Sequence, residues 1–164
     1  MGIARNEELC EALAQEIEQV FADMPYPGGD NIGREDISVF RGDWRAIPLD
    51  VIIAYRGELP FFAIQGFRYY LPAFLVAALR HPVEVDTLLD NLIFNLDPKT
   101  YEFSGQRFTE IVNSFTLDEK RSILNFLGNY MQFFPGFPVG MWVYDDKILS
   151  DLQRATDFWQ NTIQ

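Results

Sequence analysis

The sequence contains very few residues of the kinds that cross-link a chain or hold a metal ion. Among its 164 residues there is one cysteine, Cys10, and one histidine, His81. A single cysteine excludes a disulfide framework, and one residue of each kind excludes a zinc finger or a Cys/His cluster. We therefore expect no bound metal and no cofactor, and we expect a hydrophobic core to hold the fold together.

Long apolar runs are also missing. The longest one covers residues 69–79, whereas a membrane-spanning helix needs about 20 consecutive apolar residues. The acidic N-terminal segment, residues 1–15, has no apolar stretch of the kind that forms the centre of a signal peptide. These absences predict a soluble protein that stays in the cytoplasm and does not enter a membrane.

Basic residues are scarce relative to acidic ones. Lys and Arg number 13 against 24 Asp and Glu, which gives a net charge of −11. A surface this acidic repels phosphate groups, so we expect neither nucleic acid nor an anionic membrane as a partner. Residues 1–50 hold 11 acidic and 4 basic residues, so the acidic excess is concentrated there. This segment is either a solvated surface or a docking surface for a basic protein.

What the sequence does have is a high content of apolar residues at helical spacing. Apolar residues make up 48% of the chain and aromatic residues 15%, which excludes intrinsic disorder. Their recurrence every three or four positions predicts helices at about 7–24, 48–56, 64–80, 83–95, 105–114, 116–134 and 145–162. Only 36–40 and 139–144 have a pattern that fits a short strand, and 36–40 fits a helical turn as well. We therefore predict an all-α fold, a single domain over residues 1–164 with six to seven helices.

The predicted helix at 64–80 is apolar almost all round, which is typical of a helix at the centre of a core. Pro72 cannot donate a hydrogen bond within it, so the helix either kinks there or begins near Leu71. Arg68 is its only charged residue before Arg80. Because an unpaired buried charge is costly, we expect Arg68 to be largely buried and paired with an acid or with backbone carbonyl groups.

The position of Arg68 permits a structural and a functional interpretation. In the structural one, its guanidinium forms an ion pair inside the domain. The acids considered as partners are Asp43, Asp50 and Asp90. In the functional one, Arg68 binds an anion in a pocket lined by aromatic residues. The aromatic residues of that pocket are Trp44, Tyr69 and Tyr70.

The residue patterns of common catalytic sites do not occur in the sequence. His81 has no serine in a nucleophile-elbow motif to work with, and the glycine-rich segment 25–33 matches neither phosphate-binding motif. The favoured interpretation is therefore a non-catalytic protein-interaction module of undetermined oligomeric state. The alternatives are an enzyme or small-ligand binder that uses the Arg68 pocket, and an acidic immunity-type partner of a basic protein. The candidate ligand- or partner-binding residues are Trp44, Arg45, Arg68, Tyr69, Tyr70 and Trp142.

Two short stretches resemble a known family. Residues 67–75 read Phe-Arg-Tyr-Tyr-Leu-Pro-Ala-Phe-Leu, and residues 43–45 read Asp-Trp-Arg. Together they resemble a family of small bacterial proteins of unknown function, and the similarity is clearest over about residues 15–97. The resemblance implies a bacterial origin and a helical domain, and it implies no activity.

Overall fold

Seven α-helices form one all-α domain in the computed structural model, which describes residues 5–102, 104–133 and 146–164. The helices are α1 (Glu7–Val20), α2 (Leu49–Ala54), α3 (Ile64–Arg80), α4 (Leu88–Leu96), α5 (Gly105–Ser114), α6 (Leu117–Gly128) and α7 (Asp146–Ile163). Within these described ranges the only β pairing is an isolated bridge between Gly33 and Phe62. The all-α prediction is confirmed, and the strand considered at 139–144 lies outside the described residues.

Helix α3 is the central element, as its apolar composition predicts. It packs against α1, α2, α4 and α5, and most of its residues are buried. The helix runs from Ile64 to Arg80 with Pro72 in its interior, so the alternative start near Leu71 is wrong. Neighbouring helices on several sides therefore hold a helix together across a proline that would break it in isolation.

Residues 36–40 are helical turn rather than strand. A 3₁₀ helix covers Glu35–Ile37, and the backbone N–H of Phe40 donates to the carbonyl of Ile37 over 3.1 Å. The Phe40 ring is buried against an aromatic cluster of the core. The cluster members around it are Tyr55, Phe62, Tyr70 and Phe74. Two buried side chains, Ile37 and Phe40, thus anchor this turn without any strand partner.

Local capping signals place the start of α6 correctly. The backbone N–H of Glu119 donates to Thr116 Oγ1 at 3.2 Å, and the Glu119 carboxylate accepts from the backbone N–H of Thr116 at 3.3 Å. This is the reciprocal capping box expected from the Thr-Leu-Asp-Glu sequence. The helix ends at Gly128, earlier than predicted, and a 3₁₀ turn over Tyr130–Gln132 follows it.

The helix predicted at 83–95 begins only at Leu88. Asp86 has a φ of 51°, a left-handed conformation that a continuous α-helix does not contain. An aspartate tolerates this conformation better than most residues. The segment before Leu88 is therefore a series of turns, and the apolar spacing of Val85 reflects burial rather than helix.

A close backbone approach joins the glycine-rich segment to α3 at Gly66. A Cβ atom at Gly66 would lie 2.1 Å from the carbonyl oxygen of Ile32. The same carbonyl accepts a hydrogen bond from the backbone N–H of Ala63 over 2.8 Å. Because the obstructing atom belongs to the backbone, a rotamer change cannot relieve the clash.

We expect Gly66→Ala to lower the free energy of unfolding by about 1–3 kcal/mol, the usual cost of forcing atoms into a packed site. Urea denaturation followed by circular dichroism measures it. The matched control is Gly128→Ala, also in a helix, where a Cβ atom meets nothing within 4 Å. The control should be neutral or stabilising. Equal unfolding midpoints for the two variants would contradict this account of Gly66.

Candidate functional site

The turn formed by residues 43–45 packs against the middle of α3. Trp44 is buried there, and its indole Nε1 donates to the carbonyl of Phe21 at the end of α1 over 3.3 Å. The hydroxyl of Tyr70 donates to the carbonyl of Gly42 over 2.9 Å. These two bonds fix the 43–45 turn to α1 on one side and to α3 on the other.

Arg45 is held at the surface of this turn by Asp43. Arg45 Nε lies 3.0 Å from Asp43 Oδ1, and its Nη2 lies 2.8 Å from Oδ2. The Asp43 carboxylate also caps the turn by accepting from the backbone N–H of Arg45. Hydrogen bonds from the Arg45 guanidinium hold the pKa of Asp43 below its ordinary value, and the pKa of Arg45 is raised in return. The sequence motif is therefore a capped turn that presents an exposed, paired arginine beside a buried tryptophan.

Tyr69 and Tyr70 join the same cluster from α3. Their rings meet edge to face with centroids 4.9 Å apart, and Tyr26 packs on Tyr69 at 5.5 Å. Burial raises the pKa of both Tyr69 and Tyr70. Four of the candidate residues are thus brought together around one turn. Those four are Trp44, Arg45, Tyr69 and Tyr70.

Arg68 is engaged elsewhere. Its Nε and Nη2 lie 2.9 and 2.8 Å from Glu119 Oε1, and Nη2 lies 3.0 Å from Oε2. Pairing with an acid is confirmed, but the acids considered as partners were wrong. Glu119 is 3% exposed and Arg68 27%, so the carboxylate rather than the guanidinium is the deeply buried member. Consecutive helix residues point about 100° apart, which lets Tyr69 and Arg68 serve different neighbours.

The remaining candidate residue, Trp142, lies outside the described residues. The partners considered for Arg68 have their own contacts or exposure. Asp43 binds Arg45, Asp90 accepts from the hydroxyl of Tyr130 at 3.1 Å, and Asp50 is exposed on α2. The pocket proposed from the sequence, with an open Arg68 among aromatic rings, is therefore replaced by an ion pair and a separate aromatic cluster.

A groove runs beside the 43–45 turn, between α2 and the second half of α3. Its volume is ≈ 260 Å³. We call it the α2–α3 groove. Its apolar lining consists of Ile47, Leu49, Ile52, Ala73, Val76 and Ala77. Its remaining lining residues are Glu18, Trp44, Arg45, Arg80 and His81. Two candidate residues, Trp44 and Arg45, thus border this groove. Its other lining residues were not predicted as site residues from the sequence.

The reason the α3 members were missed is physical. Ala73, Val76 and Ala77 belong to a helix that is apolar on almost every side, so periodicity cannot distinguish its covered faces from an open one. The only available signal was the small size of the two alanines. A small side chain leaves space where neighbouring elements are held apart by larger ones.

One end of the α2–α3 groove carries an ionic cluster. Arg80 Nε lies 3.1 Å from Glu11 Oε2 and its Nη2 lies 2.9 Å from Glu11 Oε1, and Arg80 also binds Glu18. The Arg80 guanidinium lowers the pKa of the Glu11 carboxyl. Two carboxylates share one guanidinium, so this end of the groove is net negative.

Most of the basic side chains are engaged within the domain. Among the described residues, seven of the thirteen basic side chains form ion pairs: Arg34, Arg45, Arg68, Arg80, Arg121, Lys147 and Arg154. Four further arginines donate to backbone carbonyl groups: Arg5, Arg41, Arg56 and Arg107. Meanwhile Glu7, Glu8 and Asp23 on and after α1 are exposed. The acidic excess of the N-terminal segment therefore faces solvent.

A second cleft, of ≈ 440 Å³, lies beside the glycine-rich segment. Two arginines border it. Arg34 pairs with Asp36 at 3.0 Å and lies 4.1 Å above the Phe61 ring, and Arg41 Nε donates to the carbonyl of Ser38. Both cations are already engaged, and no candidate residue from the sequence lines this cleft.

Comparison with known proteins places the chain in a family. The structure of this chain is an all-α domain in which a capped aromatic turn packs on a central helix. Residues 11–163 match the family of unknown function DUF6714, and the chain belongs to that family. No curated protein and no solved structure gives a significant match. Over the described ranges, no group of three or more His, Cys, Asp and Glu residues is arranged to hold a metal ion, and no helix is long and apolar enough to cross a membrane.

Proposed function

We propose that this protein is a non-catalytic interaction module of the bacterial cytoplasm and that its partner is a basic protein. One observation carries the proposal: Glu7 and Glu8 of α1 and Asp23 just after it are exposed, and none of the ion pairs found among the described residues involves them. An ion pair cancels one acid against one base and leaves the net charge of −11 unchanged, so the acids without a basic partner carry the negative field. The charge of −11 is therefore expressed at the surface, where it steers a partner of opposite charge.

The proposed recognition surface is the exposed side of α1. Glu7, Glu8 and Glu11 lie in its first part, and Asp23 follows its end. Such a surface repels phosphate groups, so nucleic acid and anionic membranes are not part of the proposal. An immunity-type role, in which the acidic surface neutralises a basic toxin, is one version of the same charge complementarity. The small-ligand alternative has less support because the guanidinium of Arg68 is committed to Glu119.

The test is capture of partners from extracts of the native cell, at about 50 mM and about 500 mM salt, where the Debye length falls several-fold. We expect basic proteins to be retained at low salt and released at high salt. Glu7→Lys/Glu8→Lys should retain several-fold less. The control, Glu110→Lys/Asp157→Lys, changes two other exposed acids and shifts the net charge equally. It should retain nearly as much as the unmodified protein.

Two results would count against the proposal. If the captured proteins are neutral or acidic, or if salt does not release them, charge complementarity is not the basis of recognition. If the two charge-reversed variants lose retention equally, the surface on α1 is not the recognition surface. Because Lys in the first turn of α1 opposes the helix dipole, the melting temperatures of both variants should be compared first.

A further inference from the structure

The α2–α3 groove has the size of a socket for a few side chains. Its volume of ≈ 260 Å³ lies below the range of about 300–1,000 Å³ that small-molecule pockets usually occupy. Ile52 is buried in its wall, while Ile47, Leu49 and Val76 are half-buried and still accessible from the groove. The apolar part of this groove suits two or three apolar side chains of a larger partner, and its polar lining is left for charged groups.

The α3 wall of the groove has the geometry of a helix-docking face. Ala73, Val76, Ala77 and Arg80 follow the spacing i, i+3, i+4 and i+7 on one side of α3. From Ala73 to Arg80 the helix rises about 10 Å, which corresponds to roughly two turns of a second helix lying alongside. Helices that bind in grooves use this same spacing for their anchoring side chains. The two alanines allow a second backbone to come near.

The charge along the groove is uneven. At one end, Asp43 and Arg45 neutralise each other as a bidentate pair. At the other end, Glu11 and Glu18 share Arg80 and leave a net negative charge. A segment that binds along the groove would gain from basic side chains only at the end next to α1.

We propose that the α2–α3 groove docks an amphipathic helix of the partner protein. Apolar side chains of that helix occupy the depression formed by Ile47, Leu49 and Val76, and its Lys or Arg side chains approach Glu11 and Glu18. This inference rests on the proposed function and specifies its partner: a basic, amphipathic helical segment rather than any basic surface. Charge brings the partner to α1, and the groove supplies the apolar contact that selects it.

The probe for the test is a library of displayed random peptides of about 16 residues, enough for roughly four helical turns. Peptides are selected on the unmodified protein and then measured on two variants. Val76→Lys places a cation in the groove and removes an apolar surface. Val39→Lys makes the same change at a valine that is 45% exposed and does not line the α2–α3 groove.

We expect the selected peptides to be enriched in Lys or Arg beside apolar residues at helical spacing. They should bind Val76→Lys about tenfold or more weakly than the unmodified protein, the effect typical of an important interface residue. Val39→Lys should change affinity by less than about twofold, since residues outside an interface contribute little. Basic peptides that bind both variants equally would contradict docking in the α2–α3 groove. That result would remain consistent with recognition by the acidic surface of α1. Selected peptides without basic enrichment would overturn the proposed function itself.

A second measurement does not depend on a variant that folds. Alanine methyl groups labelled for NMR report directly on the groove when a selected basic peptide is added to the unmodified protein. The Ala73 and Ala77 methyl signals should shift, while that of Ala155, which lies on α7 and does not line the groove, should stay nearly unchanged. Shifts at Ala12 without shifts at Ala73 and Ala77 would place the peptide on α1 and overturn the groove.

Discussion

Replacing Arg68 by methionine is expected to lower the melting temperature by about 4–12 °C. In a domain of this size, each kcal/mol of unfolding free energy that is lost lowers the melting temperature by roughly 2–4 °C. The substitution leaves the Glu119 carboxylate, which is 3% exposed, without its guanidinium. Removing one partner of a buried pair typically costs about 3–5 kcal/mol. Arg68 itself is 27% exposed, so water screens part of the interaction and we expect about 2–3 kcal/mol.

Two further variants separate the charge from the packing. In Arg68→Met/Glu119→Gln the buried charge is gone, while Gln can still complete the capping box with Thr116. This variant should recover much of the lost stability. The control is Arg121→Met. In the unmodified protein Arg121 pairs with Asp118, both side chains are exposed, and the pair should contribute less than about 1 kcal/mol to the free energy of unfolding. Equal melting temperatures for Arg68→Met and Arg121→Met would show that the buried pair does not stabilise the fold.

Replacing Trp159 by alanine is expected to destabilise the protein most, by about 3–5 kcal/mol, the usual cost of a large-to-small change in a core. Trp159 is fully buried on α7, and its indole Nε1 donates to the carbonyl of Leu96 at the end of α4 over 2.9 Å. Its ring also meets Phe115 and Phe108, with centroids 6.0 and 6.5 Å away. Losing the ring leaves a cavity, an unpaired buried carbonyl group and a loosened α7.

Thermal unfolding followed by circular dichroism measures the effect. Trp159→Phe keeps most of the apolar volume and removes the indole N–H, so it should fall between the unmodified protein and Trp159→Ala. Leu149→Ala on the same helix is the control, since Leu149 is 38% exposed and its truncation leaves a smaller cavity. If Trp159→Ala melts no lower than Leu149→Ala, α7 is not held by its tryptophan.

The helices could be predicted because their signals are local. Apolar spacing marks α1, α3, α5 and α7, and the Thr116–Glu119 capping box marks the start of α6. Errors arose where a single backbone conformation overrides periodicity. The left-handed Asp86 delays α4 to Leu88, and no property of residue types alone requires that conformation.

The candidate site was only partly predictable. The cost of an unpaired buried charge correctly required a partner for Arg68, but that rule does not say which acid is near. The partner is 51 positions away on α6, where Glu119 looks like an ordinary capping residue. The capping box holds the carboxylate facing Arg68, so one residue serves the helix start and the ion pair together.

The sequence by itself determined the all-α class, the central place of α3 and the negative charge, because these depend on residue composition and on spacing within single helices. Only the tertiary structure decided that Arg68 pairs with Glu119 and that Trp44 and Tyr70 hold the 43–45 turn in place. It also decided that part of α3, at Ala73, Val76 and Ala77, lines an open groove. Those outcomes depend on which helix faces meet across long sequence separations. An apolar helix presents the same pattern to the face that is covered and to the face that is left open.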